Sequence, residues 1–157
     1  MTQANTLDEL RVALLVSRFN SLITEQMLMG ARQRFLELGI ASDHLTVLYV
    51  PGAWDMPQAA RRIADSGRYD VVVAIGCVIR GETAHFDYVA GQASDGLGQV
   101  ALTASVPVVF GVLTTDTGEQ AMLRADVHGA DRGGDCADAA LAMVRLYASH
   151  PKGTNRS

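Results

Sequence analysis

The 157-residue chain is 48% hydrophobic and 19% charged, with a formal net charge of -4. That composition fits one globular domain spanning 1–157 and excludes an intrinsically disordered chain. A single lysine, Lys152, and the lack of any Lys/Arg cluster exclude a nucleic-acid partner. No apolar run reaches the ~18 residues that span a bilayer. The first ten residues have neither the basic nor the apolar region of a secretory signal, so a cytoplasmic protein without a membrane partner is expected. Cys77 and Cys136 are expected as reduced thiols, because Cys77 closes a buried strand.

In chain order, residues 1–10 are expected to be loose, and residues 11–16 form a short apolar strand. The loop Ser17-Arg18-Phe19-Asn20-Ser21 follows, where Asn20 or Ser21 can cap the next helix. Ile23, Met27, Ala31, Phe35 and Leu38 give that helix its buried stripe, and Gly39 ends it. Residues 45–50 form a second strand, broken by Pro51-Gly52. A helix opens near Asp55, with Pro57 in its first turn, and stops at Gly67. Residues 71–79 are a continuous β-branched and apolar run, as expected of a strand buried on both faces. Phe86, Val89, Ala90, Ala93, Leu97, Val100 and Ala101 then recur at spacings of three and four, predicting a helix over 83–103. Residues 106–113 form a fourth strand, with Pro107 in its tolerated opening position. A short helix runs from the Thr114-Thr115-Asp116-Thr117 segment to about Asp126. After a Gly-rich bend, the last helix spans 134–148, and 151–157 is a frayed tail.

Strands alternating with helices predict an α/β fold, a four-stranded parallel sheet sandwiched between helices in a flavodoxin-like three-layer arrangement. Phe19, the Ala53-Trp54-Asp55 segment, the Gly81-Glu82-Thr83 turn with His85, and Thr114-Thr115 all follow the carboxyl end of a strand. Open α/β sheets bind ligands at that edge. Gly81 and Thr83, just before a helix, offer backbone N–H groups and a hydroxyl to an anion. His85 beside them points to proton transfer on a phosphorylated or acidic small molecule.

Five blocks carry a resemblance: Ser17-Arg18-Phe19-Asn20, Pro51-Gly52-Ala53-Trp54-Asp55-Met56-Pro57, Gly76-Cys77-Val78-Ile79-Arg80-Gly81-Glu82-Thr83-Ala84-His85-Phe86-Asp87-Tyr88-Val89, Phe110-Gly111-Val112-Leu113-Thr114 and Glu119-Gln120-Ala121-Met122-Leu123-Arg124-Ala125. In this order and spacing, over residues 11–148, they resemble the lumazine synthases. The resemblance implies a transferase that condenses 5-amino-6-(D-ribitylamino)uracil with 3,4-dihydroxy-2-butanone 4-phosphate in riboflavin biosynthesis. The products would be 6,7-dimethyl-8-ribityllumazine, phosphate and water, made without metal or organic cofactor. By similarity Phe19 stacks on the pyrimidine, Ala53, Trp54 and Asp55 hold the ribityl chain, and Cys77, Val78 and Ile79 offer backbone hydrogen bonds to the ring. Glu82 and Thr83 would hold the phosphorylated ketone, with His85 as proton shuttle. Phe110 and Arg124 would come from a neighbouring subunit, Arg124 gripping the phosphate, with Arg132 as a further candidate. Two positions depart from the family pattern: Asp55 replaces the usual Glu, and Arg132 the usual Lys.

The resemblance also implies pentamers, with decamers and icosahedral shells as larger assemblies and riboflavin synthase as a candidate partner. Gly91, Gly96 and Gly98 lower helix propensity, and they are expected to form a close inter-subunit surface. The competing readings are a flavin- or lumazine-binding homologue without turnover and a shell-forming structural protein. His85 and Arg124 argue against the first, since a binder needs neither a proton shuttle nor a clamp on a leaving phosphate.

Overall fold

The computed structural model describes residues 7–153. Four strands, β1 (Val12–Ser17), β2 (Leu45–Val50), β3 (Val71–Ile79) and β4 (Val108–Thr115), pair in the order β2-β1-β3-β4, every pair parallel. The helices are α1 (Ser21–Glu37), α2 (Met56–Asp65), α3 (His85–Thr103), α4 (Gly118–Ala125) and α5 (Arg132–Ser149). Every residue of β1 and the first eight of β3 are buried. That is why their sequences are unbroken apolar runs: these are the two central strands, covered on both faces. The edge strands β2 and β4 keep partly exposed positions.

The α/β sandwich has three layers and two cores. On one face Val12, Leu14, Val73 and Ile75 pack with Met27 and Phe35 of α1, Ala121 of α4 and Leu141 of α5. On the other, Ala13, Leu15, Val72 and Ala74 pack with Met56 and Ala60 of α2 and Leu97 and Val100 of α3. This is the flavodoxin-like arrangement, and it sends every strand's carboxyl end to one edge.

Several boundaries differ from the sequence-based expectations. Leu7–Glu9 forms a 3-10 turn and Leu10 is buried, because its side chain completes the first core; the core reaches further toward the N-terminus than a loose 1–10 segment allows. β4 begins at Val108, not 106, since Pro107 has no N–H for a ladder and contributes only its carbonyl, to the Val72 N–H at 3.0 Å. β4 also runs on to Thr115, so α4 starts later than expected, at Gly118, behind a Thr117–Gln120 capping box. α3 starts at His85, two residues after Thr83. α5 starts at Arg132, capped by Asp131, whose carboxylate accepts the Gly134 N–H at 3.1 Å. Its first turn lies against α1 so closely that a Cβ on Gly133 would sit 2.0 Å from the Met27 carbonyl oxygen. Gly96 is also explained within the chain: a Cβ there would meet the Pro57 ring at 2.6 Å, whereas Gly91 and Gly98 face open space.

Candidate active site

A cleft of about 630 Å³ opens at the carboxyl edge, between the ends of β1, β2 and β3 and the first turns of α3. It exists because the strands stop at different heights. β1 pairs with β3 only as far as Val16 and Ile75, whereas β3 stays paired with β4 to Ile79 and Thr115. Successive strand residues turn their N–H and C=O groups to opposite sides. The Arg80 N–H bonds to Thr115 of β4 at 2.8 Å, so Cys77 and Ile79 present their backbone groups to the side that β1 has vacated. Val78 presents its own to β4 and lines the cleft from its place in the second core.

The loop after β1 is fixed by backbone and side-chain bonds together. Arg18 and Phe19 donate their N–H groups to Val50 (2.8 Å) and Pro51 (3.0 Å). Asn20 then takes a left-handed conformation, φ 60, a region that Asn tolerates better than most residues. It precedes α1 but makes no side-chain cap; its amide crosses to the Cys77 carbonyl at 2.9 Å. The expected cap is therefore a tie between two sides of the cleft. The tie leaves Phe19 at the mouth, 72% exposed, with Trp54 at 52% and Tyr88 at 73%. Three exposed aromatic rings around one opening mark a surface made to be covered.

Gly52, Ala53 and Trp54 form one wall, and Gly81, Thr83, His85, Phe86, Tyr88 and Val89 form the other. The fold thus brings Phe19, Ala53, Trp54, Cys77, Val78, Ile79, Thr83 and His85 into one place. His85 opens α3, its N–H 3.4 Å from the Thr83 hydroxyl oxygen, so the imidazole sits where a helix N-terminus favours negative charge. Burial pushes the Cys77 thiol up to about 11. At neutral pH it stays protonated and is no nucleophile, which leaves its backbone as its contribution to the cleft.

Residues 9–148 match the family model described as 6,7-dimethyl-8-ribityllumazine synthase. The chain belongs to this family. Membership in a lumazine synthase family implies a transferase-type step of riboflavin biosynthesis acting on small molecules.

Not every residue implied by the likeness to lumazine synthases reaches the cleft. The Asp55 carboxylate accepts the Gly52 N–H of its own turn at 3.1 Å and is not among the lining residues. Glu82 is exposed beside the cleft. Phe110 lies on edge strand β4, 48% exposed, and shares a second hollow of about 270 Å³ with Arg132 and Cys136. Burial, and then Asp135, pushes the Cys136 thiol up to about 11. Arg132 pairs with Asp135 at 3.0 Å. Arg124 is exposed on α4 and donates to the Gln120 carbonyl of its own helix at 2.9 Å. Among the described residues no arginine or lysine lines the first cleft. Among the described residues, the cleft of one chain therefore offers an anion no lining cation.

Sequence reasoning gave no role to Gly52, Asn20, Phe86, Tyr88 or Val89 in the lining. The signal for Tyr88 and Val89 was present, because residues three and four places after His85 share its side of a helix. For Asn20 the sequence held no such signal, since an asparagine before a helix reads as its cap. Among the described residues no three His, Cys, Asp or Glu side chains converge to hold a metal ion, and no helix is long and apolar enough to cross a membrane.

Proposed function

We propose that the chain condenses 5-amino-6-(D-ribitylamino)uracil with 3,4-dihydroxy-2-butanone 4-phosphate to 6,7-dimethyl-8-ribityllumazine, releasing phosphate and water. The observation that carries the reading is the single cleft that combines an exposed aromatic ring (Phe19), free strand backbone at Ile79, and a histidine at a helix start beside Gly81 and Thr83. Phe19 stacks on the pyrimidine, Cys77 and Ile79 bond to its edge through their backbone, and Ala53, Trp54 and Asp55 hold the ribityl chain. Glu82 and Thr83 hold the phosphorylated ketone. Imine formation, phosphate loss, enolisation and ring closure each move a proton, and His85 carries it.

The missing cation supports an assembly in which a neighbouring copy supplies Phe110 and Arg124. A guanidinium matches a departing phosphate because its planar fork meets two oxygens at once. The minimal active species is then a homopentamer, acting in the cytoplasm and passing its product to riboflavin synthase. The test is a fluorescence assay on purified protein, given both substrates and a chelator, with light scattering on the same sample. Lumazine fluorescence from a pentamer or larger species is expected. An active monomer, or a rate that appears only when a divalent ion is added, would refute the reading.

A further inference from the structure

Arg80 has no role in the reaction as described, yet it is among the most connected side chains at the cleft's rim. It follows β3 directly and its backbone is held by Thr115. Its guanidinium lies over the Phe86 ring at 4.5 Å from the centroid, donates through Nε to Asp116 at 2.9 Å, and approaches the Asp87 carboxylate through Nη1 at 3.6 Å. Phe86 and Asp87 stand in the first turn of α3, and Asp116 stands in the loop between β4 and α4. The turn 81–84 is strung between these anchors. A Cβ on Gly81 would meet nothing within 4 Å, and Glu82, Thr83 and Ala84 are all exposed.

We propose that Arg80 is a positioning residue for this reaction: its side chain joins both ends of the turn 81–84 to the β4–α4 loop, and so fixes the turn's N–H groups and His85 for the phosphorylated substrate. The inference rests on the reaction proposed above. A stabilising role for the whole fold does not account for the contacts, because the guanidinium is about half exposed and exposed ion pairs contribute little to global stability. Direct attraction of the phosphate does not account for them either. Two carboxylates flank one guanidinium, so the cluster carries a net negative charge and would repel an approaching anion. What remains is geometry: a planar cation stacked on one element and bonded to two others narrows the positions open to the turn between them.

The charge and positioning accounts predict opposite signs for one substitution, Asp116→Ala, which leaves the Asp116 N–H bond to Gln120 in place. If charge alone mattered, removing a carboxylate would tighten phosphate binding. If Arg80 positions the turn, losing its anchor weakens it. The experiment titrates inorganic phosphate and the ribitylamino-pyrimidine into the assembled wild type and into Arg80→Ala, Arg80→Lys and Asp116→Ala, alongside melting curves and steady-state kinetics. Displacement of a binding turn by about 1 Å can cost up to about 100-fold. A rise of about 10-fold in the phosphate Kd and in KM for the phosphorylated ketone is expected for both alanine variants. Pyrimidine affinity and melting temperature should stay as in wild type, and Lys should restore only part of the loss. Tighter phosphate binding by Asp116→Ala, full rescue by Lys, or equal losses for both substrates would overturn the proposal. The phosphate titration needs no turnover, so the two readings fail separately. A wild type that binds phosphate but makes no lumazine overturns the reaction, and an active wild type matched by Arg80→Ala overturns only the role of Arg80. A wild type that binds no phosphate overturns both.

Discussion

The cleft between β1, β2 and β3 and the strip formed by β4 and α4 are assigned to one reaction, but the fold treats them differently. The cleft residues converge through ties made within the chain: Asn20 to Cys77, Phe19 to Pro51, His85 to Thr83. Phe110, Arg124 and Arg132 lie outside the cleft, and the described side-chain bonds of the two arginines reach only their own helices. The difference teaches that a single chain's fold assembles an aromatic pocket with a histidine in its wall and leaves the arginines of α4 and α5 outside it; under the proposed reaction the cation comes from another copy. Breaking the first half should cost proton transfer; breaking the second should cost phosphate affinity.

The largest expected effect is from His85→Ala, which should slow turnover by about 10- to 1000-fold while the fold survives, since the bound partners still react by proximity. Circular dichroism and single-turnover fluorescence check it, and a wild-type rate would return His85 to a structural role. Arg124→Ala should cost about 10- to 150-fold. The loss should appear in KM for the phosphorylated ketone and leave pyrimidine affinity untouched. The comparison sharpens when the two variants are unfolded, mixed in equal amounts and refolded together. About a quarter of the interfaces would then pair an intact cleft with an intact Arg124, and activity should return in that proportion. No recovery would mean that both residues serve one chain.

Smaller effects test the framework behind the two halves. Gly133→Ala should destabilise the chain by about 1–3 kcal/mol, because its Cβ collides with the Met27 carbonyl oxygen and pushes α5 from α1. A denaturant titration measures it. Stability should also fall at alkaline pH. The thiols of Cys77 and Cys136 lose their protons at about 11 in the native state against 9.0 for an exposed thiol. As pH climbs from 9 towards 11 the unfolded chain deprotonates first, which lowers its free energy relative to the native state. Replacing both cysteines with alanine should flatten that slope in melting curves.

The central strands were legible in the sequence because burial on both faces leaves no polar residue to interrupt them, as in residues 71–79. The helix stripes were legible for the converse reason, one apolar row at three- and four-residue spacing. Helix starts were not, at Thr83 and at Gly134: the turn 81–84 stays exposed and outside α3, whereas contact with α1 draws Gly133 into α5. The role of Asn20 escaped because an asparagine before a helix reads as a cap until its partner across the chain is seen. Gly96 was read as inter-subunit for a similar reason, since Pro57, its partner, lies in another helix.

The strand order has a consequence for how the molecule forms. β1 is the first strand in the chain, yet Val12 lies beside Leu45 and Val71, so its hydrogen-bonding partners are synthesised only later. Parallel pairing across intervening helices makes most contacts non-local, and loop closure must come before any ladder rewards it. The rate-limiting event of refolding should be the insertion of β1 between β2 and β3. That same event brings Phe19 and Asn20 to the end of β3, so pyrimidine binding should appear together with amide protection of Leu14 and Val73. Both should precede the β4–α4 half, which under the proposed reaction acts only once chains meet.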